Sequence, residues 1–294
     1  MGRRQHGQYL FYIIVIVIAL LCLRQFLAVE GFQDAAPPPP SQNEDSTVPM
    51  KVFMYADKWK PTAIALANSL KKHKYSYEVL GLGKPWGGWI ERAKAYLAAI
   101  QAYKAEKGGE AVALFLDAYD IICIKDSDTF FASYEARKRS MPVIFGAERN
   151  CHSSMCNKKI LEWYDFNEIE GGKAAVDAGM NTWGEGGEHL WSTGRPVFTN
   201  NGTMMGTADG LEFLFTEILK TGIEDDQVAA GKVIEANLDK FDIDFEEALF
   251  RNKFRELDKL PDEDGVSGPG FLHFHAMRSE EQQAEVLRRF QGYS

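Results

Sequence analysis

Two carboxylates, Asp117 and Asp120, follow directly on the apolar run Ala111-Val112-Ala113-Leu114-Phe115-Leu116 in the spacing D-x-x-D. On the surface such a pair repels itself, and in a core each member needs a partner. A divalent cation resolves the conflict, because hard cations such as Mg²⁺ and Mn²⁺ take oxygen ligands and bridge substrate phosphates. The chemistry open to that cation is Lewis-acid stabilisation of a phosphate leaving group. A solvated turn after a strand is the plain alternative. A second group is Phe271-Leu272-His273-Phe274-His275, which places two of the six histidines at alternate positions. In an extended segment both face the same way, either onto backbone partners or, for one of them, onto the metal. A third is Asp225-Asp226, at the start of an expected helix, where the pair suits either a helix N-terminus or general-base chemistry.

These groups need a scaffold. Lys51 to Tyr55 is expected to be a short buried strand, Pro61 to Lys72 a helix, and Tyr77 to Leu80 a second strand. Gly81 to Gly88 is a glycine-rich turn, and Trp89 to Lys104 an Ala-rich helix. The run ending at Leu116 lacks alternation, as a strand covered on both faces does. Cys123 is expected in a strand, Thr129 to Lys138 in a helix and Pro142 to Phe145 in a strand. Alternating strands and helices predict an α/β layered sheet, and ligands of such sheets bind at the carboxyl ends of strands, where Asp117 falls. Glu170 to Arg195, rich in glycine and carrying Trp183 and Trp191, reads as a long loop. Pro196 to Asn201 leads into Asn200-Asn201-Gly202, followed by helices over Ala208 to Thr221 and Asp225 to Asn237. Leu238 to Phe245 is expected to be strand-like, Gly265 to Gly270 a loop, and Ser279 to Phe290 a terminal helix.

The chain opens differently. Tyr9 to Leu23 is apolar, Arg3 and Arg4 precede it, and apolar residues resume after Arg24 as far as Val29. With Arg24 snorkelling to the interface the segment reaches the ~20 residues of a membrane span. A cleaved signal peptide competes, but Ala28-Val29-Glu30 is a poor cleavage site, which favours an uncleaved signal anchor. The arginines predict a cytoplasmic N-terminus, hence a single-pass type II protein with its bulk in the lumen of the endoplasmic reticulum or Golgi. Pro37-Pro38-Pro39-Pro40 and the polar stretch to Thr47 read as a stem. The expected division is a tail over 1–8, an anchor over 9–29, a stem over 30–48 and a catalytic domain over 49–294. In a secretory lumen Cys151 and Cys156 suit a local disulfide, while a zinc site lacks a second ligand pair at finger-like spacing. A formal net charge of −9 argues against a nucleic-acid binder.

Taken in order, several segments resemble the glycosyltransferase domain of the multifunctional procollagen lysyl hydroxylases and, more distantly, the collagen galactosyltransferases. They are Tyr75-Ser76-Tyr77-Glu78-Val79-Leu80-Gly81-Leu82-Gly83-Lys84-Pro85-Trp86-Gly87-Gly88, Leu114-Phe115-Leu116-Asp117-Ala118-Tyr119-Asp120, Val143-Ile144-Phe145-Gly146-Ala147-Glu148 with Cys151, Asn200-Asn201-Gly202 to Gly206, Asp225-Asp226-Gln227, Leu238-Asp239 and Leu272-His273. The resemblance implies a GT-A fold, a Rossmann-like mixed and mostly parallel sheet flanked by helices. It implies Mn²⁺ (or Mg²⁺) on Asp117, Asp120 and His273, with a UDP-sugar as donor. Trp86, Tyr119 and Asp57 would stand at the nucleotide, although Asp57 replaces the family's Thr. Lys94 would offset phosphate charge, and Asn200, Gly202 and Glu148 would line the sugar side. Asp225 and Asp226 would face the sugar or the acceptor hydroxyl, Asp226 or Asp225 being the general base if the reaction inverts. His152 replaces a family Trp on the acceptor side, and His275-Ala276 replaces Asn-Gly after the metal histidine. The implied activity is transfer of galactose or glucose to a hydroxyl on a protein, hydroxylysine included, or on a glycan. Another nucleotide-dependent transferase and an inactive sugar-binding relative are the alternatives. Asn201-Gly202-Thr203 is also an N-glycosylation sequon, expected to stay unmodified.

Overall fold

The unbroken apolar run lies inside a sheet, as its lack of alternation requires. The computed structural model describes residues 49–137, 141–148, 196, 198–252, 268–274 and 280–290. In it, strand β3 (Val112–Asp117) lies between β1 (Met50–Tyr55) and β6 (Phe198–Thr207). Val112, Leu114 and Leu116 point into one buried cluster, while Ala113 and Phe115 point into another. The period of two therefore supplies two cores, one on each face of the sheet.

β1 pairs in parallel with both β2 (Ser76–Leu80) and β3. β6 runs antiparallel to β3 and to β5 (Val143–Glu148), and β7 (Phe241–Asp244) runs parallel to β5. The order is β2-β1-β3-β6-β5-β7, a mixed and mostly parallel sheet with β6 as its reversed strand. Helices α1 (Pro61–Lys72) and α3 (Ser127–Arg137) cover one face through Ala63, Leu66, Leu70, Phe130 and Tyr134. Helices α2 (Trp89–Lys107), α4 (Ala208–Lys220) and α5 (Asp226–Ala236) cover the other through Tyr96, Ile100, Leu214, Phe215 and Val233. Local chemistry sets their starts. Pro61 occupies the first turn of α1, where its missing N–H costs nothing, and the Thr207 hydroxyl accepts the Gly210 amide at 3.2 Å to cap α4.

A second, three-stranded sheet sits past the tip of β3. β9 (Phe271–His273) runs antiparallel to β4 (Ile121–Cys123) and parallel to β8 (Phe250–Asn252). Helix α6 (Glu280–Phe290) follows.

Most expected elements form within a few residues of their expected bounds. From Phe198 the chain runs as a ten-residue strand through the Asn-Asn-Gly sequence to Thr207. Leu238 to Phe245 is a departure, since 238–240 is a 3-10 turn and β7 occupies only Phe241–Asp244. The chain divides into two compact units, 1–37 and 38–294, and every described residue lies in the second. The expected tail, anchor and stem, the Cys151–Cys156 pair, His152, the 170–195 loop and His275 fall outside the described residues. Among the described residues no helix is long and apolar enough to cross a membrane.

Candidate functional site

The two-residue step in D-x-x-D crosses from one sheet to the other. Asp117 is the last residue of β3, and Asp120 immediately precedes β4. β4 pairs Ile121 with His273, and the Phe274 amide donates to the Asp120 carbonyl at 2.7 Å. The strand pairing thus brings a histidine more than 150 positions away to the carboxylates. One ligand atom from each of Asp117, Asp120 and His273 lies within 4.8 Å of the others, and His273 Nε2 stands 3.4 Å from Asp120 Oδ1.

His273 is held from behind. Its Nδ1 lies 2.7 Å from Asn252 Oδ1, and Asn252 Nδ2 donates to the Ala147 carbonyl at 2.8 Å. Because that amide nitrogen is committed to a carbonyl, Asn252 offers its oxygen to the ring. Nδ1 therefore carries the proton and Nε2 is left as the ligand atom toward the acidic pair. Parallel pairing of β8 and β9 sets Asn252 opposite His273. Two glycines make the room. A Cβ on Gly202 would lie 2.3 Å from His273 Cε1, and one on Gly146 would lie 2.8 Å from Asn252 Nδ2. Gly202 thus lies against the histidine ring, and Asn200 Oδ1 accepts the Gly202 amide at 2.8 Å.

Two carboxylates and an imidazole with its second nitrogen already fixed form a donor set suited to a divalent ion such as Mn²⁺. The electrostatics agree. Burial pushes the Asp117 carboxyl up, the nearby Arg92 pulls it down, and the charge of Asp120 raises it again, for a net rise. Burial lowers the His273 imidazole, but Asp120 and then Asp117 and Glu148 outweigh it, so the ring sits above its ordinary value. The group is short of positive charge.

Arg92, which sequence reasoning missed, supplies part of that charge. The residue is 6% exposed, and its Nε and Nη2 donate to Asp226 Oδ2 at 3.0 and 2.6 Å. Nη1 donates to Asp117 Oδ1. Lys94, the cation expected at the donor, stands two residues along the same helix, exposed and paired with Glu91 at 2.6 Å. The signal for Arg92 was its spacing from Trp89 and Tyr96, which puts all three on one helix face.

The acidic pair divides its work. Asp225 caps α5, its Oδ1 accepting the Gln227 and Val228 amides at 3.0 Å each. Asp226 is buried against Arg92, and burial raises its carboxyl despite the opposing pull of that guanidinium. Asn201 Nδ2 donates to the Asp226 carbonyl at 2.9 Å, so the sequon asparagine is buried and engaged. Glu148, at the end of β5, accepts from Gln227 Nε2 at 3.0 Å.

The expected nucleotide contacts form a second group at the tips of β1 and β3. The Tyr119 hydroxyl donates to the Asp57 carboxylate and accepts the Asp57 amide at 3.1 Å. Burial and that carboxylate push the phenol up to about 12. The Lys60 ammonium covers the Tyr119 ring at 4.1 Å. Trp86 is 45% exposed and stands edge-on to Tyr55 at 5.6 Å, and Tyr55 is the strand partner of Asp117.

Comparison with known proteins bears out the resemblance over part of the chain. Residues 50–164 match the family model described as the PLOD GT domain. A Caenorhabditis elegans multifunctional procollagen lysine hydroxylase and glycosyltransferase is 26% identical over 121 residues, which are 39% of this chain and 16% of that protein. A solved glycosyltransferase involved in the glycosylation of the major capsid of PBCV-1 is similar over 82% of this chain and 98% of its own, at 11% identity. The TM-score of that pair is 0.45.

Proposed function

From a segment that matches a PLOD glycosyltransferase domain, we propose that this chain is a metal-dependent hexosyltransferase. It moves galactose or glucose from a UDP-sugar to a hydroxyl on a protein, hydroxylysine included, or on a glycan. The observation that carries the reading is the convergence of Asp117, Asp120 and His273 at the carboxyl end of β3, where α/β sheets bind ligands. Mn²⁺ (or Mg²⁺) on these three residues would supply Lewis-acid stabilisation to the diphosphate.

The protein's own groups do the rest. Asp57 and Tyr119 brace each other at the nucleotide end, and Trp86 offers an exposed indole for a flat base. In the reaction the bond between the sugar's anomeric carbon and the UDP oxygen breaks, and a bond from that carbon to the acceptor oxygen forms. The acceptor proton must leave. In an inverting transfer Asp226 takes it, and a buried carboxylate whose proton affinity is raised suits that task. In a retaining transfer the same carboxylate stabilises the positive charge that develops on the sugar.

The test is UDP release from a panel of UDP-sugars with Mn²⁺, with and without a collagen-like hydroxylysine peptide. Release by the wild type and its loss in Asp117→Ala supports the reading. Equal turnover in both removes the metal-site assignment. We further propose that residues 9–29 anchor the chain as a type II protein of the endoplasmic reticulum or Golgi. Protease protection of the C-terminal part in intact microsomes tests this, and digestion without detergent refutes it.

A further inference from the structure

Trp89, Arg92 and Tyr96 stand at positions i, i+3 and i+7 of α2 and share one face. The Arg92 guanidinium lies 4.6 Å from the Trp89 ring centre and 5.9 Å from that of Tyr96. All three of its nitrogens are engaged: Nε and Nη2 with Asp226 Oδ2, and Nη1 with Asp117 Oδ1. A guanidinium enclosed by two aromatic rings and two carboxylates is not a mobile hand for a passing phosphate. It is a rigid link between the tip of β3 and the first turn of α5. Both bonds to Asp226 fall on Oδ2, so Oδ1 lies outside this ion pair.

The two carboxylates that Arg92 joins belong to different parts of the reaction. Asp117 is one of the metal-site residues, and Asp226 is the group placed to handle the acceptor proton or the sugar's developing charge. We propose that Arg92 is a positioning residue that fixes the Asp226 carboxylate relative to Asp117, and so sets the spacing between acceptor chemistry and the departing diphosphate. This rests on the transferase reading above. A planar fork is needed for the task, because a lysine ammonium supplies the charge but cannot hold two carboxylates in a set relation.

Two other roles predict different results. A plain counter-charge would be satisfied by lysine, and a donor-binding cation would act on affinity for UDP. The full chain with Arg92→Lys is therefore compared with wild type by Mn²⁺·UDP calorimetry, thermal unfolding and UDP-sugar turnover. The expected result is a dissociation constant for Mn²⁺·UDP near the wild-type value and a fall in kcat of about 10–100-fold, as when an outer partner of a metal ligand is lost. In an Asp226→Asn background, Arg92→Lys is expected to cost little more. Asp226→Glu keeps the ion pair while moving the carboxylate by one methylene, and is expected to lower kcat with binding intact. This variant carries the test if Arg92→Lys does not fold. Unchanged kcat in Arg92→Lys, additive losses with Asp226→Asn, or full turnover in Asp226→Glu would overturn the proposal. A loss confined to UDP affinity would also overturn it, and would make Arg92 a donor-binding residue. A wild type that releases UDP from no sugar donor would remove the transferase reading itself, and this proposal with it.

Discussion

Replacing Asn252 with leucine, a side chain of similar size, removes the hydrogen bond that holds His273 from behind and the one that holds Asn252 itself to Ala147. Asn252 is 4% exposed; it accepts from His273 Nδ1 at 2.7 Å and donates to Ala147 at 2.8 Å. Each net hydrogen bond is worth about 1 kcal/mol, and a buried ring N–H left without a partner costs a further 1–3 kcal/mol or so. The total is about 3–5 kcal/mol. For a domain of this size that lowers Tm by roughly 6–20 °C. Metal affinity should fall separately, because the ring loses the contact that fixes its tautomer and angle; outer-shell losses of this kind cost about 10–100-fold. Asn252→Asp divides the two effects. Its carboxylate still accepts the Nδ1 proton and orients the ring, but it cannot donate to Ala147 and sets lone pairs against that carbonyl. It should therefore lose stability while keeping Mn²⁺ affinity near wild type. Calorimetric Mn²⁺ titration and thermal melts on the three proteins read both quantities. If Asn252→Leu binds Mn²⁺ as tightly as wild type while its Tm falls, Asn252 does not orient a metal ligand and the reasoning fails.

Gly202→Ala places a methyl 2.3 Å from His273 Cε1, so the ring must shift; Mn²⁺ binding and turnover should drop together at a stability cost of about 1–3 kcal/mol. Lys94→Ala should leave melting temperature, UDP affinity and turnover at wild-type values, because its only described partner is the exposed Glu91 beside it; a weaker UDP affinity would support the expected place of Lys94 at the donor. Asp244 is fully buried and accepts the Ala248, Leu249 and Phe250 amides with Arg137 alongside, so Asp244→Asn should cost about 3–5 kcal/mol in urea unfolding. The pH dependence of metal-free protein follows from His273, whose folded-state value is raised. A raised value means that the charged ring's stabilisation is complete below the unfolded value of about 6.5 and is lost as pH climbs through the folded value. Relative to His273→Gln, metal-free wild type should therefore lose stability upward from about pH 6.5, while the Tm gain from Mn²⁺ grows over the same window. A pH-independent difference between the two proteins would contradict this.

Much of this molecule is legible in one dimension because the signals are local. Ala111 to Leu116 has no polar face, so it belongs inside a sheet, and the carboxylates that follow must then stand at its carboxyl end. Pro61 and the apolar spacing behind it mark a helix that forms from Pro61 to Lys72. The histidine at 273 is legible as a metal candidate through its place in an extended aromatic segment. Other features depend on partners far along the chain. Asn200-Asn201-Gly202 has poor strand propensity, yet it lies within β6: Asn200 pairs with Gly146 of β5, Asn201 and Gly202 fall at the register shift there, and the ladder to β3 begins at Thr203. Arg92 and Lys94 share a helix and a charge, and only the direction of each side chain from the axis sends one to the acidic cluster and the other to solvent. Asp225 and Asp226 are neighbours, but the first helical turn claims one as its cap and leaves the other to Arg92. Asn252 gains its meaning from strand register alone, which sets it opposite His273. Residue type and local period decide which elements form and which side chains are chemically able; sheet register and helix rotation, set by packing between distant segments, decide which of those side chains meet.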